Sequence, residues 1–276
     1  MTRIDRRALF ASGAAAALLA ASGLSAGATP RAGGTLRLAV PRDGSLARIA
    51  TGAMFDTLTE VAPDGTLRGE LATSWQGSAD ARLWSFRLQD GVRFHDGTVL
   101  KPRHVVSTLR GADLPGLMRA EVAGRHRVEV ELDSGNPDLP LLLADPAFSI
   151  ASGSGDLLAD GIGTGAYRLE RLDSERHFRA CKVADHYKAG RAGWADQIEI
   201  IVIPDSSVRA EALRDGFVDV AALPQRAGLI GRGEFLYHPS TDDMALAARP
   251  GVGIPRTVST RGSLDDGRIA ERWWLT

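Results

Sequence analysis

The stretch LWSFRLQDGVRFHDGTVLKPRHVV, Leu83–Val106, decides how the rest of the chain is read. LWSFRL alternates apolar and polar side chains, as a half-buried strand does, and VRFH repeats the pattern after the turn residues QDG. Asp96-Gly97 is a second turn signal, and Lys101-Pro102 opens a helix, because proline at the first helical position forfeits no hydrogen bond. That helix carries Val105, Val106 and Leu109 on one side. His95-Asp96 could be taken for a catalytic or metal-binding pair. Its place at the end of a strand, before a tight turn, makes it scaffolding.

On the N-terminal side of this stretch, GGTLRLAV (33–40) reads as a first strand and DGSLARIATGAMFDTLTEV as a helix. The helix has Leu46, Ile49, Ala53, Met54 and Leu58 at helical spacing and a cap near Asp43 or Ser45. APDGTLRGELATSW is turn chemistry around Pro63, Asp64 and Gly65. HRVEVEL, AYRLERL, HFRACKV, IEIIVIP, VDVAALP and EFLYHPS read as further strands, IEIIVIP being apolar on both faces as an interior strand should be. PDLPLLLADP is a short apolar segment, and SGSGDLLADGIGTG a glycine-rich crossing between lobes. SSVRAEALRDG is an amphipathic helix with a serine cap and a stop at Gly216. Residues 249–266 read as loop, and RIAERWWLT as a last strand whose Trp273 and Trp274 point to opposite faces, one of them less buried. The class is mixed α/β with two lobes.

The first 28 residues are set apart from the fold. A basic start, an apolar run from Ala11 to Ala21 and small residues at Ala26 and Ala28 form an export signal cleaved near Ala28, and Arg6-Arg7 ahead of Leu9-Phe10 give it a twin-arginine character. Removing its three arginines and one aspartate moves the formal net charge from −1 to about −3, which argues against nucleic-acid or anionic-membrane partners. The apolar run is too short to span a bilayer and no other segment is long and apolar enough, so the mature chain is expected to be soluble rather than membrane-embedded. Cys181 is the single cysteine and reads as a small buried residue of a strand.

The motifs that would make an enzyme are wanting. GIGTGA (161–166) satisfies a loose dinucleotide-binding count, but a strand follows it where a phosphate-binding helix would have to start. The six histidines, at 95, 104, 126, 177, 186 and 238, have no metal-ligand spacing. Beyond the first 28 residues there is no G-x-S-x-G elbow, and the chain has no H-E-x-x-H. No enzyme activity, cofactor or resident metal is expected.

Taken in order, these segments resemble the family 5 extracellular solute-binding proteins of ABC importers, the peptide and nickel binders. GGTLRLAV is similar to the family's opening strand, MFDTLTEVAPDGTLRGELATSW to its signature turn and Trp-ended segment, and Leu83–Val106 to its most characteristic run. GTGAYRLERL stands where the family has Gly-Thr-Gly-Pro-Tyr, with Ala166 in place of the proline, and ADHYKAGRAGWADQIEIIVIPDSSVRAEALRDGFVDVA resembles the segment that ends the first pass through the major lobe. The resemblance covers Gly33 to Leu246. His104 stands where an acidic residue is usual, and the segment from Arg110 to Arg127 is short.

The resemblance implies a periplasmic binding protein-like α/β fold of type II, with a mixed sheet, flanking helices and a smaller α+β lobe. It places the major lobe at 29–60 and 157–276 and the smaller one at 61–156. Family members run to about twice this length, so it also implies a shortened form without the second large lobe. The implied function is a periplasmic protein that binds a peptide-like or other small solute non-covalently and delivers it to ABC permease subunits. The implied ligand contacts are Arg42, Asp43 and Ser45 at the end of the first strand, with His238 and Ser240 where the chain would cross to the second lobe. The rival expectation is an interaction module that docks another exported protein through the face which that lobe would cover.

Overall fold

A computed structural model describes residues 29–153, 155–173, 175–224, 236–238, 244–255 and 267–276. Within these, the chain forms β1 (Thr35–Val40), α1 (Ser45–Met54), β2 (Thr59–Val61), β3 (Leu67–Gly69), β4 (Ala72–Gly77) and β5 (Leu83–Leu88). There follow α2 (Pro102–Gly111), β6 (Leu117–Gly124), β7 (Arg127–Leu132), α3 (Leu139–Leu142), α4 (Leu157–Asp160), β8 (Tyr167–Asp173) and β9 (His177–Lys182). The last elements are β10 (Gln197–Val202), α5 (Ser206–Arg214), β11 (Val220–Pro224), β12 (Leu236–His238), β13 (Met244–Ala248), β14 (Val252–Gly253), α6 (Ile269–Arg272) and β15 (Trp274–Leu275).

A mixed seven-stranded sheet in the order β12-β13-β11-β1-β10-β9-β8 dominates. β1 lies parallel to both β10 and β11, and the outer strands add to these antiparallel. Strand periodicity sends alternate residues to opposite faces. Leu36, Leu38, Val40, Val220 and Ala222 join α1, Phe178, Ile198 and Ile200 in one buried cluster. Ala39, Ala221, Leu223 and Ala247 meet Leu213 of α5 on the other side. A sheet buried on both faces beneath helices is the α/β solution, and β1, at its centre, has its four buried residues in the run Leu36 and Leu38–Val40.

A second apolar cluster, from Leu58 to Ile150, is built by the antiparallel sheet β4-β5-β7-β6 under α2. Trp84, Phe86 and Leu88 of β5 face α2 residues Val105, Val106 and Leu109 in it. The chain passes from the first cluster to the second at Phe55–Leu58 and returns between Ile150 and Ala166. At the return, a β-carbon on Gly163 would stand 1.9 Å from the Met54 carbonyl oxygen, and the Gly165 amide donates to that same oxygen at 2.8 Å. Glycine is demanded there by the closeness of two backbones.

Several sequence expectations are corrected. VRFH is not a strand: Val92 and Phe94 are buried, but the segment folds back on itself, Phe94 donating its amide to Thr98, with a single bridge between Arg93 and Val99. The first helix ends at Met54, and β2 takes Thr59–Val61, which the apolar spacing assigns to that helix; the segment 62–75 carries β3 and the start of β4 besides its turn. β6 falls in a stretch that shows no strand pattern. RIAERWWLT is one turn of helix followed by a two-residue strand, and both tryptophans are buried. Cys181 is half-buried rather than buried. The cap of α5 is Asp205, not a serine, its carboxylate accepting from the Ser207 amide at 2.7 Å.

Gly163→Ala should cost about 3 kcal/mol or more, the scale of a forced backbone shift in a packed core. Urea denaturation checks it; a loss below about 1 kcal/mol would mean the crossing is looser than described.

Candidate functional site

Two places concentrate polar chemistry. The first is the rim where the parallel strands β1, β10 and β11 end and α1 and α5 begin. In open α/β sheets ligands bind beyond the carboxyl ends of strands. Arg42, Asp43 and Ser45 all lie there. One Asp43 carboxylate oxygen accepts from the Ser45 amide at 3.0 Å and from its hydroxyl at 2.5 Å, so this pair starts α1, and Ser45 is buried. Arg42 stands exposed, 3.8 Å from Glu175. Beneath the rim, the buried Arg209 of α5 donates to the carbonyls of Ala222 at 2.5 Å, Ile203 at 2.6 Å and Pro204 at 2.9 Å, tying α5 to the ends of β10 and β11. His238 is the last residue of β12 and pairs with Leu246 of β13. Ser240 lies outside the described residues.

The second place was not expected from the sequence. Lys188, in the loop after β9, is buried, and its ammonium donates to Asp56 at 2.8 Å, to Glu271 at 2.8 Å and to Glu70. Arg268 grips Glu70 with both terminal nitrogens, one of them at 2.6 Å from Oε2, and also donates to Thr57 Oγ1 at 3.0 Å. Arg272 donates to Glu60 at 3.1 Å and to the Val61 carbonyl at 2.8 Å. Thr57 and Thr164 complete the set, the Thr57 amide donating to Glu70 at 2.8 Å and the Thr164 hydroxyl to Asp56 at 2.9 Å.

The electrostatics follow from this geometry. Burial pushes the Glu70 carboxyl up, but Arg268 and Lys188 outweigh it and hold the group far below the usual carboxylate range. Burial and Glu70 push Glu60 up, while Arg268, Lys188 and Arg272 bring it net down. Burial opposes the charge on Lys188, yet Asp56, Glu271 and Glu70 keep its ammonium well above the ordinary lysine range. Asp56, Glu70 and Glu271 bring oxygens within 4.8 Å of one another, a spacing that could hold a metal ion. Lys188 Nζ bonds an oxygen of each, so a cation already stands among them.

His95, the residue on which an enzymatic reading would turn, serves the chain crossing. Its Nε2 lies 2.9 Å from the Gly165 carbonyl, and its Nδ1 accepts from the Gly163 amide at 3.3 Å, which makes Nε2 the protonated nitrogen. Burial holds its pKa below the ordinary histidine value, despite the opposing pull of the glycine carbonyls. Asp96 accepts from the Thr98 amide at 2.8 Å, the hydrogen bond of a tight turn. His104 accepts from the Lys101 amide at 3.1 Å through Nδ1, a cap for its own helix.

A mixed α/β sheet with its polar rim at the strand ends, joined to a smaller α+β unit by chain crossings, defines the periplasmic binding protein class. The model of the bacterial extracellular solute-binding proteins, family 5 (middle), matches residues 66–231, more than half of the chain, and the chain belongs to that family. Di/tripeptide-binding protein 2 of Pseudomonas aeruginosa is 28% identical over 214 residues, covering 62% of this chain and 40% of that protein. The HTH-type transcriptional regulator SgrR of Salmonella choleraesuis is 28% identical over 163 residues, covering 56% of this chain and 29% of its own length. The periplasmic binding protein DppA of Helicobacter pylori, solved with the peptide STSA, shares the fold with a TM-score of 0.67 at 22% identity, over 76% of this chain and 51% of that one. The chain thus spans about half or less of the length of these relatives. No helix among the described residues is long and apolar enough to cross a membrane.

Removing Lys188 leaves three buried carboxylates without their shared cation. Lys188→Met is expected to lose about 3–5 kcal/mol in denaturant titrations; a loss under about 1 kcal/mol would show that the network adds little. The acid limb has a definite sign. Glu60 and Glu70 ionise more readily folded than unfolded, so their contribution is present above the unfolded value of about 4.3 and is lost as pH falls below it. Stability measured from pH 6 down to pH 3 should fall, and Glu70→Gln should flatten that fall.

Proposed function

We propose that the protein is exported through its N-terminal signal to the periplasm, there binds a small peptide-like solute non-covalently, and presents it to an ABC permease. Family membership supports a binding role. The single observation that carries the ligand class is the similarity to a protein named as a di/tripeptide binder. We place the solute at the rim of β1, β10 and β11, with Arg42, Asp43 and Ser45 on the first strand's end as contacts and His238, at the end of β12, and Ser240 as further candidates.

The roles divide by what each residue already does. Ser45 and Asp43 are committed to starting α1, so they shape the rim and lend it the amide-rich first turn of a helix. Arg42 is the exposed charge free to meet a peptide carboxylate, its neighbour Glu175 being a solvent-screened contact worth little. We take 29–60 with 157–276 as the lobe that carries this rim and 61–156 as the smaller lobe that braces it.

Differential scanning fluorimetry of the signal-free chain against di- and tripeptides tests this. A ligand that prefers the folded state stabilises it by about 2.7 kcal/mol at a hundred times its dissociation constant, so at least one peptide should raise the melting temperature dose-dependently. Arg42→Ala should weaken that response while leaving the ligand-free melting temperature unchanged. A flat response to every peptide at millimolar concentration would refute the reading.

A further inference from the structure

The innermost part of the buried ionic network has an unequal count. Asp56, Glu70 and Glu271 are three buried carboxylates, and the buried cations bonded to them are two, Lys188 and Arg268. Glu60, at the edge of the group, has Arg272 at 3.1 Å and the half-exposed Arg68 at 2.7 Å, and it draws on Arg268 as well, at 3.6 Å, so that cation is shared rather than spare. Within the inner group the hydrogen bonds fall unevenly. Glu70 takes Arg268 on both oxygens, Lys188 and the Thr57 amide. Asp56 takes Lys188 and the Thr164 hydroxyl. Glu271 takes Lys188 on Oε1 alone. Its Oε2 is buried without a hydrogen-bond partner among the described residues, with Arg268 Nη1 no nearer than 3.8 Å.

A buried carboxylate oxygen without a donor is among the costliest arrangements a fold can hold, whereas a neutral carboxyl with one hydrogen bond unmade is far cheaper. We infer that Glu271 carries a proton in the folded protein at neutral pH, so that docking of the segment 268–275 onto the core is a proton-coupled step. The surroundings agree. Burial raises the affinity of Glu271 for a proton, Lys188 and Arg268 oppose it, and Asp56 and Glu70 reinforce it, with a net upward shift from the ordinary glutamate value. From the other elements packed here, the Tyr167 hydroxyl donates to the Ala195 carbonyl at 3.0 Å, and the buried Tyr187 hydroxyl, which faces Asp56, is held neutral by burial and by the surrounding carboxylates. Next to it in α6, Arg272 is turned to Glu60 of β2 at 3.1 Å.

The consequence is a clasp that favours lower pH. Because folded Glu271 holds its proton more tightly than the unfolded residue, its stabilisation is fully present below the unfolded value of about 4.3. It is lost as pH rises from that value through the folded one, an interval over which this group raises the unfolding constant up to tenfold per pH unit, and above the folded value it adds no further pH dependence. His95 and His104 are held below the ordinary histidine value, so they act in the opposite direction below neutrality, and equally in any Glu271 variant.

Infrared spectroscopy of the signal-free chain, with urea titrations from pH 5 to pH 9, decides the matter. The wild type should show a protonated-carboxyl stretch at pH 7 that disappears in Glu271→Gln and persists in Glu60→Gln. Glu271→Gln, a neutral isostere, should fold and should lose the wild type's decline in stability above neutrality. Absence of the band, its survival in Glu271→Gln, or parallel pH curves for the two proteins would overturn the inference. Failure of Glu271→Gln to fold would also count against it, and the presence or absence of the wild-type band is an independent test.

Discussion

The ammonium of Lys188, held between three carboxylates that come from distant parts of the chain, orders the pieces of this fold around itself. Asp56 stands where the chain leaves the larger sheet, Glu70 lies between β3 and β4 of the smaller unit, and Glu271 belongs to the C-terminal helical turn. One cation therefore ties both apolar clusters and the last segment to a single point. Burying such charges is expensive, and their mutual attraction repays it only when geometry and supporting hydrogen bonds are complete. Here Thr57, Thr164 and the paired arginines supply most of that support. What such a network adds over an apolar core is directional: only one docking of the pieces satisfies it.

The C-terminal segment shows how the arrangement is enforced by packing as well as charge. A β-carbon on Gly52 of α1 would come 2.3 Å from the Gly267 carbonyl oxygen, so the backbone leading into α6 lies directly on the first helix. Ile269, Ala270 and Trp273 then enter the cluster that lines β1. The Glu271 carbonyl accepts from the Gly193 amide at 2.8 Å, locking the turn to the loop that carries Lys188. The rim at the ends of β1, β10 and β11 inherits its rigidity from this assembly, because α1 is pinned from below while Asp43 and Ser45 fix its start.

Much of this fold can be read from the residues, and what cannot has a physical reason. β1, β5, β7 and β10 are legible because one or both of their faces are buried and the period of two survives in the side chains. α2 is legible from its proline start and α5 from its amphipathic face. β6 escapes notice because only Ala120 of its eight residues is buried, so Leu117–Gly124 carries no apolar stripe. VRFH misleads in the other direction: it has strand alternation but pairs with its own loop. RIAERWWLT misleads most, because a reading from hydropathy sends Arg268, Glu271 and Arg272 to solvent. They are buried through partners as far as 212 positions away. Ion pairs at such separations leave no local mark. The same holds for the rim: Asp43 and Ser45 can be picked out as a helix cap or as ligand contacts from the sequence, and only the structure shows that the cap is Gly44, with Asp43 and Ser45 bonded to each other across it.

Native-state hydrogen exchange followed by mass spectrometry probes the role of Lys188 at its root. If Lys188 and its partners make the C-terminal turn integral to the core, the amides of residues 269–275 should exchange as slowly as those of β1, through global unfolding alone. Exchange of that segment orders of magnitude faster than β1 would contradict this, since it would show the segment opening while the sheet stays folded.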